Sequence, residues 1–399
     1  MADPASKPSS VKGASAAPSS VPSRAASFKS AVSAADTPAT EQSTAGADRE
    51  DEPVQAWKPP TDGPLKVPVP VPAPHTSPPK PAPLTPEQNT KYAAVLAQVS
   101  QWTSLPTSTD KNAAQAPLQD HERMWLTREC LLRYLRATKW KTPDALKRLQ
   151  GTLTWRREYG ADTFTYDYVS PENETGKQII LGYDKDARPC LYLSPGKQNT
   201  KMSDRQIHHL SFMLDRVIDM MPPGQETTAL LINFKGAASG SVPSVGQARA
   251  VLNILQNHNP ERLGRALITE LPWYVNTFFK LISPFIDPVT KEKMKFNEDM
   301  KKWVPTEQLW NAQGGELNFE YDHKAYWAAL QKETDKRRAA YRERWEAGGK
   351  RIGEFEDYLR GAKVKSLGQT VEEAGGVAEK ADKDMEAAEH GMKSVSVAE

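Results

Sequence analysis

The sequence predicts an α/β protein: a mixed, mostly parallel sheet covered by helices, preceded by a small helical bundle and flanked by two disordered tails. Three observations carry this expectation. Short apolar runs of strand length, QIILGY (178–183), RPCLYL (188–193), TTALLINF (227–234) and ALITEL (266–271), alternate in their later part with helical patterns. Strands so separated need crossover connections, which make neighbouring strands parallel. Between Thr85 and Gly160 the apolar residues instead recur at helical spacing. Finally, 18 of the 32 prolines fall in residues 1–86, so the chain divides into a tail and a folded part.

Residues 1–86 are Ala, Ser and Pro with scattered charge. They end in LKVPVPVPAPHTSPPKPAP, whose prolines remove backbone donors and favour an extended arm. A plain spacer is the favoured reading of that arm over an SH3 or WW ligand. Order is expected from Thr85, because Tyr92, Val95, Leu96 and Val99 form one helical stripe. A polar link over 103–119 leads to HERMWLTRECLLRYLRATKW, which reads as one helix. Thr142 and Pro143 then open another, with Leu146, Leu149 and Leu153 on one face.

Beyond Gly160 the period switches. QIILGY and RPCLYL flank the turn-like Asp184-Lys185-Asp186-Ala187 and read as a hairpin. Ser203 and Gln206 match a capping box for a helix carrying Ile207, Leu210, Leu214, Val217 and Met221. The strand 227–234 follows, then a helix from Pro243 to about Asn257, the strand 266–271, and a charged amphipathic helix over 323–345. Glycine, alanine, lysine and glutamate without aromatics make 361–399 a disordered end. The expected organisation is a tail (1–86), a helical domain (87–165), an α/β domain (166–322), C-terminal helices (323–360) and a tail (361–399).

Composition removes several function classes. With 52 basic and 50 acidic residues the net charge is +2, which argues against a nucleic-acid partner. Two cysteines, Cys130 and Cys190, with no second thiol or histidine at ligand spacing, suggest neither a disulfide framework nor a metal site. No apolar run has the length of a secretory signal or a membrane span, so a soluble, cytoplasmic protein is expected. KGAASG (235–240) fits no phosphate-binding glycine fingerprint, and no GxSxG occurs. Nucleotide-dependent oxidoreduction is therefore a remote alternative, and no catalytic residue or cofactor is expected. His208 and His209 are adjacent on a helix and cannot chelate one metal; they read as surface or satisfied histidines.

The most unusual stretch is LPWYVNTFFKLISPFIDPVTKEKMKF (271–296). Trp273, Tyr274, Val275, Phe278, Phe279, Leu281, Ile282, Phe285 and Ile286 cover most of a helix, leaving Lys280 and Asn276 as its thin polar face. Such a helix is either buried or meets lipid.

LLRYLRATKW with WRREYG, GYDKDARP, LLINFKG, NPERLG and LISPFIDPVTKEK, in this order, resemble the CRAL-TRIO lipid-transfer family. They are most similar to fungal phosphatidylinositol transfer proteins of the branch linked to pleiotropic drug resistance. The resemblance spans about residues 87–345. It implies a CRAL-TRIO fold, with an N-terminal helical bundle against an α/β lobe whose apolar pocket is closed by a gating helix near 273–286. It also implies lipid transfer without covalent chemistry: phosphatidylinositol is lifted from one membrane and released at another.

By the same resemblance the inositol-phosphate contacts fall on Glu261, Arg262, Thr290 and Lys293, with Lys139 beside Thr138, where many relatives carry an arginine. The positions that would line a choline site are here Leu191, Met213, Thr228 and Leu230. That apolar lining suits a sterol as a second ligand. Trp273, Phe278, Phe279, Lys280, Ile282 and Phe285 are the expected gate and membrane contacts. The implied partners are membrane surfaces or lipid droplets, contacted transiently, and the bound lipid. The alternative is an adaptor that presents phosphatidylinositol to a lipid kinase.

Overall fold

The computed structural model describes residues 57–201, 203–238 and 245–373, without the side chains of Val245 and Phe278. The expected tails over 1–56 and 374–399, and the expected helix start at Pro243, lie outside the described residues.

The helical part begins with α1 (Pro86–Val99), which opens on a reciprocal cap: Thr85 Oγ1 accepts from the Gln88 amide and the Gln88 side chain accepts from the Thr85 amide. The link over 103–119 is not featureless. It holds an antiparallel ribbon, β1 (Ser104–Pro106) and β2 (Gln115–Pro117), pinned by the Arg157 guanidinium donating to the carbonyls of Leu105, Ala116 and Pro117. The single helix expected over 121–140 is two, α2 (Asp120–Trp125) and α3 (Arg128–Ala137). Thr127 takes an extended backbone between them and its hydroxyl accepts from the Cys130 amide, so an N-cap interrupts the periodic run. The helix α4 (Thr142–Tyr159) stops at Gly160, whose φ of 73° supplies the left-handed residue that ends many helices. Val95, Val99, Leu131, Leu135, Leu149 and Leu153 form the core of this part.

In the α/β lobe, α5 (Tyr166–Asn173), β3 (Gln178–Tyr183), β4 (Pro189–Leu193), α6 (Asp204–Asp219), β5 (Thr228–Asn233), α7 (Val245–Asn253), β6 (Leu263–Thr269), α8 (Trp273–Ile282), α9 (Pro288–Lys293) and β7 (Met294–Phe296) follow in order. The sheet runs β3-β4-β5-β6-β7; β3 and β4 are antiparallel and the other neighbours parallel, as the strand–helix alternation requires. The edge strand β7 is a further finding: three residues with Lys295 at their centre carry no strand signal. Ser203 does not close the expected capping box; the Gln206 side chain donates to Thr200 and to the Lys201 carbonyl instead. Behind the sheet, α10 (His323–Ala347) sends the Tyr326 hydroxyl to edge strand β3, where it meets both the amide and the carbonyl of Ile180 at an irregularity in the ladder.

Two expected tail boundaries need correction. Within 57–85 the stretch 64–73 is packed rather than free: Leu65, Val69 and Ala73 are buried, and Leu65 pairs with the 318–320 segment through two backbone hydrogen bonds of 2.8 and 3.0 Å. Prolines that hold the arm extended also reduce the entropy lost when it docks. At the other end, α11 (Glu356–Leu359) is followed by a helical turn over 367–373, capped by a reciprocal Ser366–Gln369 pair.

Candidate functional site

The turn Pro260-Glu261-Arg262 leads into β6. Glu261 takes a left-handed backbone, φ 58°, and the two charged neighbours engage different partners. Glu261 Oε2 accepts from Arg136 Nε at 2.5 Å, and Arg136 Nη2 also reaches Glu226 at 3.0 Å. This places the end of α3 against the start of β6.

Lys293 lies on the same side, at the end of α9. Burial pulls its ammonium below the ordinary lysine range, and Arg188 and Arg136 push the same way, while the Glu261 and Asp287 carboxylates oppose them. Thr290 sits one turn earlier on α9, where its amide donates to the capping Asp287 carboxylate at 2.9 Å. The structure thus brings Glu261 and Lys293 into electrostatic reach and adds Arg136, which the sequence reading missed. Arg136 belongs to the same RATKW motif, two residues before the position singled out, and was legible only as part of a helix.

Three expected head-group residues are placed otherwise. Arg262 is a correction: its guanidinium donates to the Glu226 carbonyl at 2.9 Å and lies 3.5 Å from Glu356, inside a crowded set of charges. Burial, with Arg133 and Arg360 beside it, brings Arg262 down to about 10. Thr138 turns its hydroxyl back onto the Tyr134 carbonyl at 2.9 Å. Lys139 is exposed at the end of α3, in a left-handed conformation shared with Trp140.

The apolar floor follows from the strand register. Leu191, Leu230, Ala266 and Met294 stand side by side across β4, β5, β6 and β7. Leu191 and Leu230 are buried, whereas Leu193 and Ile232, two residues on and so on the same face, keep part of their surface exposed. The face therefore opens toward the carboxyl ends of the parallel strands, the usual location of ligands in such sheets. Met213 of α6 is buried in the same core. Thr228 engages its hydroxyl with the Arg262 carbonyl, so it offers no free donor.

The segment after β6 makes its own small core. Ile282 and Ile286 cluster with Ala248 of α7, and half-buried Met294 touches both this cluster and the main core. Trp273 is 80% exposed and Leu281 57%, with Phe285, Val289 and Phe296 also exposed. An apolar patch this dense on one surface segment is unusual for a protein that meets only water. Lys280 lies at its edge, exposed. Two expected membrane contacts face inward: Ile282 is buried, and the half-buried Phe279 ring packs edge-on against Phe234 and Phe296. The Phe285 ring is covered by Arg249, 4.3 Å from its centre. The side chain of Phe278 lies outside the described residues.

Among the described residues no cluster of three or more His, Cys, Asp or Glu side chains is placed to hold a metal, and no helix is long and apolar enough to cross a membrane.

Two family profiles match the chain: "CRAL/TRIO, N-terminal domain" over residues 91–151 and "CRAL/TRIO domain" over 173–315. A CRAL-TRIO domain-containing protein of Schizosaccharomyces pombe is 52% identical over 278 residues, 70% of this chain, although the chain spans only 28% of that relative's length. The phosphatidylinositol transfer protein PDR17 of Saccharomyces cerevisiae is 40% identical over 271 residues, 63% of this chain and 77% of that protein. The SEC14 cytosolic factor of Candida glabrata is 30% identical over 209 residues, 46% and 69% of the two chains. Among solved structures, that of Sfh5 aligns with a TM-score of 0.46 at 14% identity, covering 62% of this chain and 93% of the other.

Proposed function

This chain belongs to the CRAL/TRIO family, and on that premise we propose that it is a lipid carrier that lifts phosphatidylinositol out of one membrane and releases it at another, without covalent chemistry. The observation that carries the proposal is the apolar segment from Trp273 to Phe296, displayed at the surface directly after β6 and beside the Glu261–Lys293 pair.

The energetics favour a carrier over free diffusion. Two acyl chains hold about thirty methylenes, at roughly 0.8 kcal/mol each, so a lone lipid in water is penalised by some 24 kcal/mol. Membrane and protein pocket both relieve that penalty, and the two nearly cancel. Selection among lipids then rests on the head group. Arg136, Lys293 and the Thr290 hydroxyl supply donors for a phosphodiester, while Glu261 accepts from ring hydroxyls and holds Arg136 in place. Each such contact contributes about 1.5 to 3 kcal/mol.

The gate is read as α8 with its small core. Ile282 and Ile286 anchor it to α7, while Trp273, Leu281 and Phe285 enter the head-group layer, with Lys280 near anionic lipids. Peripheral, transient membrane association follows from this arrangement. The apolar lining by Leu191, Leu230 and Met213, with Thr228 already engaged, supports a sterol as second ligand.

The test is mass spectrometry of the lipids that co-purify with the protein, joined to transfer of labelled phosphatidylinositol between vesicles. The proposal expects phosphatidylinositol among the bound lipids and rapid delivery to acceptor vesicles. Binding without delivery would favour presentation to a kinase. The absence of any bound lipid would overturn the proposal, and phosphatidylcholine as the main cargo would overturn the sterol assignment.

A further inference from the structure

A cavity of about 950 Å³ lies between the helical part, α6 and α10, and Pro70–Pro72 of the arm form part of its wall. None of Glu261, Thr290 and Lys293, and no residue of α8, lines it. Its walls carry ten arginines and one lysine against six carboxylates. In its wall Glu356 faces three guanidinium groups: Arg133 at 2.8 Å, Arg262 at 3.5 Å and Arg360 at 3.6 Å. Glu226 adds one more carboxylate but divides it between Arg133 and Arg136. The Arg360 side chain is only 9% exposed, and its Nε is buried without a hydrogen-bond partner. At the mouth Lys336, Arg338 and Arg342 are exposed and have no carboxylate within ion-pair distance among the described residues.

We propose that this cleft binds a small organic anion bearing two or more phosphates. Arg156, Arg157, Arg216 and Arg337 are already paired with carboxylates of the wall, but the three buried guanidinium groups that share Glu356 are costly unless an anion completes the set. Guanidinium groups present paired donors in the planar fork that phosphate oxygens match. The volume is that of a site for a whole small molecule rather than a lone inorganic ion. Trp125, Tyr341, Met221 and the proline wall provide the apolar surface that an organic body requires. The crowding of Arg262 by Arg133 and Arg360 points the same way.

Phosphorylated polyols and nucleotides share this chemistry, and calorimetric titration of the full-length protein with inositol hexakisphosphate and, separately, with ATP distinguishes them. The expected result is one saturable site for at least one of the two, weakened tenfold or more in the R338A/R342A double variant, with lipid loading unchanged. Those two side chains are exposed, so the double variant keeps its fold; Arg360→Gln tests the buried donor and is expected to weaken binding at least as much. The proposal is overturned if neither compound saturates, if sulfate at matched ionic strength reproduces the heats, or if the rim variant binds as tightly as the parent chain.

Discussion

The Arg136 guanidinium holds the Glu261 carboxylate at 2.5 Å, joining the last turn of α3 to the turn that starts β6. Because Glu261 also faces Lys293, the contact organises a site assembled from three separate stretches of sequence. Arg136→Ala is expected to lower phosphatidylinositol loading roughly tenfold, the effect of one lost charge-assisted contact. Arg136→Lys should recover little of it, since an ammonium cannot serve Glu261 and Glu226 together from fixed donors. Quantifying lipid in the two purified variants checks this; full recovery by lysine would reduce Arg136 to a point charge.

Lys293→Ala isolates the other side of the site. Its loss removes the cation nearest Glu261 on α9 and should reduce phosphatidylinositol loading about ten- to hundredfold. The thermal midpoint should move little, because Lys293 makes no ion pair among the described residues. Sterol loading should stay as it is. If phosphatidylinositol transfer by this variant matches the parent rate, the head group binds elsewhere.

The gate makes a kinetic prediction. Trp273 and Leu281 are exposed, whereas Ile282 is buried against Ala248. Replacing Trp273 and Leu281 with serine is expected to slow transfer between vesicles while leaving stability within about 0.5 kcal/mol of the parent. Ile282→Ala should instead destabilise by about 2 kcal/mol, the low end for a buried aliphatic side chain, since its cluster is small. Vesicle-transfer rates and denaturant midpoints separate the two effects; equal transfer by the serine variant would remove this face from membrane contact.

The pattern of what was legible in the sequence has a physical basis. The sheet core was readable because Ile180, Leu191, Leu231 and Leu267 sit in continuous apolar runs, which sheets covered on both faces require. The edge strand β7 and the β1–β2 ribbon were not, since three residues cannot show a period. The docked arm was hidden by its prolines, which argue against helix and sheet but not against Leu65 and Val69 packing onto the lobe. Glu261 and Lys293 emerged from the resemblance alone. Arg136 and the commitment of Arg262 to Glu356 depend on which way adjacent side chains turn, which a left-handed residue at 261 decides and the sequence does not announce.

His209 sets an acid limit on stability. It was expected to be a surface or satisfied histidine, yet its ring is fully buried in α6 with neither nitrogen hydrogen-bonded, and burial together with Lys177 lowers it to about 3. The folded protein therefore keeps it neutral while the unfolded chain protonates near pH 6.5. Below that value the unfolded state binds the extra proton, so stability is lost as pH falls from 6.5 toward 3. At pH 5 this amounts to about 2 kcal/mol. His209→Leu, of similar size and without a proton to take, should flatten that part of the pH profile. Denaturant midpoints at pH 7.5, 6 and 5 for both proteins provide the check. Parallel profiles would mean that carboxylates, such as the depressed Glu356 in its arginine cluster, govern acid unfolding instead.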